Sequence, residues 1–452
     1  MKRVRIILLL LTVASFAHAS EESSLPPSDS SLLVSLDTLW VLLSAALVFL
    51  MQAGFKCLEV GLVRKHQIAA VAMKNMVDWT VGSIIFFLLG FGLMFGHSVG
   101  GWLGTDMLLP TTFTVEGGSD LGAVFFMFQL AFAGTALTIV SGSMSERTGF
   151  IPYLTASVFI ALLIYPVFGH WVWGNLFYAN NSAWLADLGF IDFAGSTVVH
   201  STGAWISLAG LKLLGPRLGR YTEIGTLRDF KPNSIPMAVL GVFILWFGWW
   251  GFNGGSALSF GGQVGTIILN TNLAGAAAAL VAYFHAFSFQ NKENIYEKML
   301  GGALGGLVAI TASAHIQTPL TSLLIGGIAG VVHNLSYDLL TKKWRIDDAV
   351  GAIPIHGFCG LFGTLAVALF APEESLTHGR WMQLGVQVLG AAVCFVWAGG
   401  VGYALFFVLK KTVGLRVSPA EERQGITLYH VKQEETEEGD EEELIRLMQE
   451  ME

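Results

Sequence analysis

The sequence is short of charged residues. Asp, Glu, Lys and Arg make up 13% of its 452 residues, whereas soluble domains carry about 25%. Hydrophobic residues make up 53%, and the mean hydropathy is +0.61. These values exclude an ordinary soluble domain and indicate a protein that crosses a membrane many times. The 53 glycines are typical of closely packed membrane helices.

Cysteine and catalytic motifs are scarce as well. The three cysteines, Cys57, Cys359 and Cys394, lie in apolar runs and show no disulfide or metal-ligand spacing. We interpret them as small packing residues. No nucleophile–base pair, phosphate-binding loop or metal motif stands out either. We therefore expect no enzyme, no cofactor and no metal site.

The net charge of −8 is concentrated at the C-terminal end. From Glu421 onward, 12 acidic and 3 basic residues give −9, so the rest of the chain is near +1 and nothing indicates nucleic acid. Residues 433–443 are almost all acidic, and four apolar residues then recur at helical spacing between 444 and 451. This end is either a frayed amphipathic tail or the start of a helix that reaches a partner or a signalling domain.

The first residues resemble an export signal. A basic start is followed by the apolar run 6–16 and by Ala17-His18-Ala19, a small-x-small cleavage site. We predict a signal peptide over 1–19 and a short extracellular segment over 20–35. A signal anchor is the alternative, although the apolar run is short for a membrane span.

Eleven apolar runs predict membrane helices. They cover residues 37–63, 68–96, 121–144, 150–168, 194–214, 235–257, 264–289, 299–312, 319–333, 350–371 and 383–409. The eighth and ninth are short by the usual measure of about 20 residues. The predicted fold is an all-α membrane protein, with a membrane domain over 36–411 and a cytoplasmic acidic region over 412–452.

The basic residues set the predicted orientation. If the N-terminus is outside, Lys and Arg fall in the cytoplasmic loops, and the outer loops hold only Arg380. We therefore predict an N-out, C-in protein of the inner (plasma) membrane. The fifth and tenth helices then run in opposite directions. This is the pattern of an inverted repeat of five plus five helices, whose site lies near the midplane between the halves.

Two histidines lie in matched positions on these helices. His200 follows Asp192 by eight residues, and His356 follows Asp348 by the same interval. Eight helical residues span roughly 12 Å, so both histidines are expected near mid-depth, where ionisable groups are costly and often functional. The residues alone leave open a shared proton site, satisfied core histidines or a metal site, although no carboxylate or cysteine stands nearby at ligand spacing.

The two aspartates and the aromatic residues have simpler alternative interpretations. Asp192 and Asp348 stand at helix starts, where a carboxylate caps backbone N–H groups, and Asp192 could also attract a cation. Aromatic clusters at 128–132, 170–174 and 246–256 provide ring faces that attract cations. An interfacial aromatic belt would give the same clusters.

These segments together resemble the ammonium transporter family (Amt/Mep/Rh), and within it the bacterial Amt branch. The resemblance lies in residues 192–200, 251–256, 145–147 and 355–360, and it covers roughly residues 36–430. Trp173 favours the Amt branch over the Rh branch. The resemblance implies a homotrimer with one pore per subunit.

The resemblance also implies roles for particular residues. It assigns an outer ammonium recruitment site to Trp173 and Ser256, with Phe128 contributing and Asp192 supporting recruitment. It assigns a gate to two stacked rings, Phe132 and Phe252. It assigns a pore and proton relay below the gate to His200 and His356.

The implied function is ammonium uptake. NH4+ would be recruited and deprotonated, and NH3 would pass the gate while the proton travels through the histidines, which makes uptake electrogenic. Whether NH3, NH4+ or NH3 plus H+ crosses stays open, and methylammonium is an expected second substrate. The alternative function is an ammonium sensor whose C-terminal helix connects to a signalling domain. A PII-type regulatory protein is a further expected partner, without a site that we can assign.

Overall fold

The computed structural model describes residues 29–113, 121–290 and 292–426. The predicted signal peptide over 1–19 and the acidic stretch 433–443 lie outside the described residues. So do the four apolar residues between 444 and 451.

The described chain is an assembly of long helices with very little strand. The helices are α1 (Asp29–Leu62), α2 (Lys65–Phe95), α3 (Leu121–Ser143), α4 (Phe150–Trp173), α5 (Thr202–Leu214), α6 (Ile235–Gly255), α7 (Gly262–Phe289), α8 (Ile295–Ile310), α9 (Pro319–Trp344), α10 (Ile353–Phe370), α11 (Arg380–Thr412) and α12 (Pro419–Gln424). Single helical turns lie at Trp184–Asp187 and Glu373–Ser375, and the hairpin β1 (Ser98–Val99) and β2 (Leu103–Gly104) follows α2.

Every predicted apolar run is helical in the structure. Within the described ranges, nine helices are long and apolar enough to cross a membrane. The other two are α5 and α8, and α8 has only 16 residues. The chain is therefore a multi-pass membrane protein, while the number of helices that cross the bilayer stays a prediction.

Several helix ends differ from the predicted ones. Helix α9 continues to Trp344, beyond the predicted end at 333, and α1 begins at Asp29, inside the segment predicted to precede it. Charged residues after position 333 interrupt the apolar run, so the sequence predicted an earlier helix end. In the structure one of them, Asp338, accepts a 3.1 Å hydrogen bond from Lys298 of α8 and so remains inside the helix.

Widened π-helical turns begin the fifth and tenth helices. The turn Ser196–Ser201 leads into α5, and the turn Ile353–Phe358 forms the first part of α10. Each turn contains one of the two histidines. Such turns are frequent at functional sites, and four more lie in α2, α4, α9 and α11 of the described chain. The two segments thus share one local form, and the inverted repeat itself stays a prediction.

Glycines allow the helices to approach closely. A Cβ at Gly326 of α9 would lie 2.7 Å from the Ala274 Cα of α7, and a Cβ at Gly241 of α6 would lie 2.9 Å from the Leu58 Cα of α1. Real side chains do not fit at such distances, so these backbones touch directly. Close backbone packing is a main source of helix association where lipid supplies no hydrophobic driving force.

One end of the bundle carries most of the basic loops, and we call it the basic end. There Arg217 donates hydrogen bonds to Asp347 at 2.8 Å and to Glu146 at 2.5 Å, and Arg220 lies 3.3 Å from Asp347. The neighbouring guanidinium groups offset the cost of burial and hold the pKa values of Asp347 and Glu146 below their usual range. The ion pairs fix three loops to one another.

The segment after α11 packs against this cluster. Glu422 of α12 is fully buried, and its carboxylate accepts hydrogen bonds from Arg416 at 2.7 Å and from the Leu218 backbone N–H at 2.6 Å. Its backbone carbonyl accepts from Gln67 at 3.0 Å. The chain therefore stays on the basic end of the membrane domain until residue 426.

Candidate functional site

The candidate site begins at Asp192, which shapes the turn before α5. Its carboxylate accepts hydrogen bonds from the backbone N–H groups of Gly195 (3.1 Å), Thr197 (2.9 Å) and Val198 (2.8 Å). Gly195 has φ +105°, a left-handed conformation that favours glycine. The buried carboxylate thus accepts hydrogen bonds from N–H groups that have no partner within the helix at its start. The turn it holds carries His200.

Asp348 has a similar position before α10. One carboxylate oxygen accepts a 2.7 Å hydrogen bond from the Ile353 N–H. The other oxygen is buried and has no hydrogen-bond partner within the described ranges. Both aspartates therefore bind the N–H groups of a π-helical turn, as expected for capping residues.

His200 and His356 meet in the interior. Their Nδ1 atoms are 3.1 Å apart, and the rings are 5.1 Å apart with an interplanar angle of 17°. Both side chains are buried. Because a neutral imidazole has one donor and one acceptor nitrogen, one Nδ1 donates and the other accepts. The two rings must then be in opposite tautomers.

Stacked aromatic rings surround His200. Trp249 lies 5.1 Å away at 19°, and Phe252 lies 5.4 Å away at 29°. The Nε2 atom of His200 is buried and has no hydrogen-bond partner in the described part of the chain. Its Nε2 atom therefore has unused hydrogen-bonding capacity.

Two stacked phenylalanine rings lie beside the histidine pair. Phe132 of α3 and Phe252 of α6 are stacked, with ring centroids 4.0 Å apart and an interplanar angle of 18°. Both rings are almost completely buried. Phe252 contacts Phe132 on one side and His200 on the other.

A small pocket lies on the other side of these rings. It contains about 210 Å³ of space between atoms, part of it open to the surroundings, and its lining includes Phe128, Phe132, Trp173 and Ser256. Ser256 donates its hydroxyl hydrogen to the Phe252 carbonyl at 2.8 Å, so its oxygen lone pairs can accept an N–H from a solute. The pocket thus combines aromatic surfaces with a hydroxyl acceptor.

Asp192 does not line this pocket. Its carboxylate oxygens are occupied by backbone N–H groups, and its backbone carbonyl accepts a 2.8 Å hydrogen bond from the Trp173 indole. The structure therefore links Asp192 to the pocket through Trp173 and to the histidine pair through the turn at Thr197.

Some residues near the site carried no signal in the sequence. Phe193 also lines the outer pocket, and its ring is stacked on His315 at 4.1 Å and 21°. Trp249 donates from its indole to the Thr311 hydroxyl at 2.9 Å. The loop that holds His315 and Thr311 is remote in sequence, so no spacing rule connects it with the site.

A buried polar cluster between α1, α2 and α4 was also missed. Asn75 donates to Glu59 at 3.1 Å, and Lys74 donates to the Thr148 carbonyl at 2.7 Å. Tyr153 donates to Asp78. The charged residues Glu59, Lys74 and Asp78 lie inside predicted apolar runs. They could have identified this cluster from the sequence, because ionisable groups inside the membrane are functional candidates. Over the described ranges, no group of three His, Cys, Asp or Glu residues could hold a metal ion.

Comparison with known proteins gives one consistent result. The family model of the Ammonium Transporter Family matches residues 39–436. The chain is 41% identical over 442 residues to ammonium transporter Amt2 of Archaeoglobus fulgidus, covering 94% of this chain and 92% of that protein.

Two solved structures are similar as well. A sensor Amt protein has a TM-score of 0.86 and 42% identity, covering 88% of this chain and 99% of that one. Mep2 of Candida albicans has a TM-score of 0.76 and 26% identity, covering 86% and 87%.

Proposed function

Because this chain belongs to the ammonium transporter family, we propose that it carries ammonium across the membrane by separating NH4+ into NH3 and a proton. One observation supports this mechanism above all others. The outer pocket, the stacked rings of Phe132 and Phe252, and the pair His200–His356 are adjacent to one another in this order.

The outer pocket is the proposed recruitment site. NH4+ would lie against the ring faces of Trp173 and Phe128 and donate one N–H to Ser256. A cation over an aromatic face gains about 0.5–2 kcal/mol, which attracts the ion without holding it tightly. Asp192 supports recruitment indirectly, because it fixes the Trp173 indole and adds negative charge nearby.

The gate and the histidines form the proposed conduction path. An ammonium ion in an apolar passage costs far more than neutral NH3, so the dry stretch favours NH3. The proton lost by NH4+ binds Nε2 of His200, the Nδ1 proton of His200 moves to His356, and the Nε2 proton of His356 leaves on the far side. One positive charge then crosses with each NH3, and uptake is electrogenic.

Current measurements on purified protein in a supported membrane test this proposal. Wild-type protein should give an ammonium-dependent current, and His200→Ala combined with His356→Ala should abolish it. His66→Ala is the matched control, because His66 is exposed and remote from the pore. An undiminished current in the double variant would exclude the relay.

The orientation and assembly are part of the same proposal. We place the basic end in the cytoplasm of a cell whose inner membrane holds the protein, with the N-terminus outside after removal of residues 1–19. We expect three copies, each with its own pore, and methylammonium as a second substrate. Mass measurement of the intact assembly and labelling of loop residues from either side check these expectations.

A sensor is the second candidate function. It is favoured by the likeness to a sensor Amt protein at a TM-score of 0.86 and by the docking of α12 on the basic end, where the chain after residue 426 would reach a signalling partner. A PII-type protein at the same face is an alternative partner. Comparing the ammonium current with and without a cut after Val431 separates these roles, because a pure transporter keeps its current unchanged.

A further inference from the structure

Glu59 is a buried carboxylate that the conduction path described above does not use. It lies on α1, is 2% exposed, and accepts a hydrogen bond from the Asn75 side chain at 3.1 Å. Lys74, in the same polar cluster, does not pair with it and donates instead to the Thr148 carbonyl at 2.7 Å. A buried carboxylate without an ion pair is costly, and ionisable residues inside a membrane are usually functional.

The second carboxylate oxygen of Glu59 lies between α3 and the segment that leads into α10. A Cβ at Gly142 of α3 would lie 3.0 Å from Glu59 Oε1 and 2.9 Å from Val350 Cγ2. The carboxylate and Val350 therefore converge on one glycine, whose missing side chain leaves room for both. In the described part of the chain, no residue donates a hydrogen bond to Oε1. This oxygen is available as an acceptor.

Val350 also lines a pocket at the basic end, which we call the inner pocket. It contains about 680 Å³ of space between atoms, part of it open to the surroundings. Its lining includes Ile355, the neighbour of His356 in the sequence, and Arg220 in the loop that follows α5. The inner pocket therefore extends from the region of the histidine pair towards the basic end. Glu59 lies behind the part of its wall that Val350 forms.

Glu59 also lies close to His356 along α1. Phe55 precedes Glu59 by one helical turn, and its ring is 6.2 Å from the ring of His356. Residues four apart share one face of a helix, with Cβ atoms about 6 Å apart. A short chain of water molecules can therefore connect His356 with Glu59.

We infer that Glu59 accepts the proton that leaves His356. This inference rests on the proposed function, in which His356 releases its Nε2 proton on the far side of the histidine pair. The N–H bond at Nε2 breaks, water carries the proton, and an O–H bond forms at Glu59 Oε1. Glu59 then passes the proton to water in the inner pocket and is a carboxylate again. Asn75 positions the carboxylate by its hydrogen bond to the other oxygen.

Ammonium currents of the purified full-length protein in a supported membrane test this role. Glu59→Gln keeps an acceptor for Asn75 but cannot take up the proton, so the current per folded protein should fall by roughly tenfold or more. Glu59→Asp keeps a carboxylate and should restore part of the current. Glu223→Gln removes the same charge from an exposed residue in the loop after α5 and should leave the current unchanged.

The results separate this inference from the proposed function. If His200→Ala combined with His356→Ala keeps its current, the relay itself is wrong, and Glu59 has no proton to accept from it. If that double variant loses its current while Glu59→Gln keeps it, the relay stands and the proton does not pass through Glu59.

Asp348 is the competing proton acceptor. It lines the inner pocket, and one of its oxygens is buried without a partner in the described ranges. Its other oxygen is held by the Ile353 N–H at 2.7 Å. If Asp348 accepts the proton, Glu59→Gln will conduct like wild-type protein, which overturns the inference. Equal currents in Glu59→Gln and Glu59→Asp would also overturn it, because they would show that the carboxylate itself is not required.

Discussion

The substitution Asp192→Asn tests the residue that connects the outer pocket with the histidine pair. The change keeps the shape of the side chain but replaces one acceptor oxygen with an NH2 group. Asp192 is 4% exposed, and its carboxylate accepts three backbone hydrogen bonds between 2.8 and 3.1 Å. An amide can keep the two bonds to Thr197 and Val198 or the one to Gly195, but not all three.

The size of the effect follows from these contacts. Leaving one buried N–H facing another donor costs about 1–3 kcal/mol, and the remaining bonds lose their charge assistance. We therefore expect the free energy of unfolding to fall by about 2–4 kcal/mol. The local disturbance should affect the turn that carries His200 and the Asp192 carbonyl, which accepts a hydrogen bond from the Trp173 indole. A loss of about 1.4 kcal/mol at the pore is a tenfold change in rate.

Two measurements check this prediction. The thermal midpoint of the purified protein should fall, and the ammonium current per folded protein should fall by roughly tenfold or more. Asp187→Asn is the matched control, because Asp187 is exposed and lies in the same loop region. If Asp192→Asn melts and conducts like Asp187→Asn, the carboxylate does not hold the site and our account of its role is wrong.

Three further predictions concern stability. Asp347→Asn breaks buried ion pairs and should cost about 3–5 kcal/mol, whereas Asp229→Asn, whose side chain is 50% exposed, should cost little. Gly326→Ala should lower the thermal midpoint because its Cβ has no room, whereas Gly327→Ala meets its nearest atom at 3.6 Å and should not. Burial lowers the pKa of His315 to about 4 from an ordinary 6.5, so the unfolded chain takes up this proton first and stability falls between pH 6.5 and 4. His315→Asn should remove that part of the acid sensitivity.

Thermal midpoints of the proteins in detergent check these three predictions. The aspartate and glycine variants are measured at neutral pH, and His315→Asn is compared with wild-type protein from pH 7 to 4. Equal midpoints for Gly326→Ala and Gly327→Ala would mean that α7 and α9 can separate without cost. An unchanged pH dependence in His315→Asn would mean that other groups account for the acid sensitivity. Equal losses of stability in Asp347→Asn and Asp229→Asn would show that the burial of the Asp347–Arg217 ion pair does not affect stability.

The sequence by itself determined the class of the protein and the places of its helices. Hydropathy is a local property, because each segment must satisfy its own backbone hydrogen bonds in lipid. Every predicted apolar run is therefore helical. The ends of helices were less predictable. Charged residues such as Asp338 can stay inside a helix when a partner on a neighbouring helix pairs with them, and sequence does not show that partner.

The sequence also indicated the residues of the candidate site, through spacing for His200 and His356 and through family resemblance for the outer pocket and the gate. Their roles as gate and relay stay predictions. Only the tertiary structure decided that the two Nδ1 atoms are 3.1 Å apart. The same holds for Trp249, which stacks on His200, and for His315, which lies behind the outer pocket.

The physical reason is the range of the interactions involved. Helix formation and capping act within a few residues, as Asp192 shows with its three neighbouring N–H groups. The histidine pair and the polar cluster around Glu59 and Asp78 depend on contacts between helices far apart in sequence. Those contacts are set by the packing of the whole bundle, which no local pattern encodes.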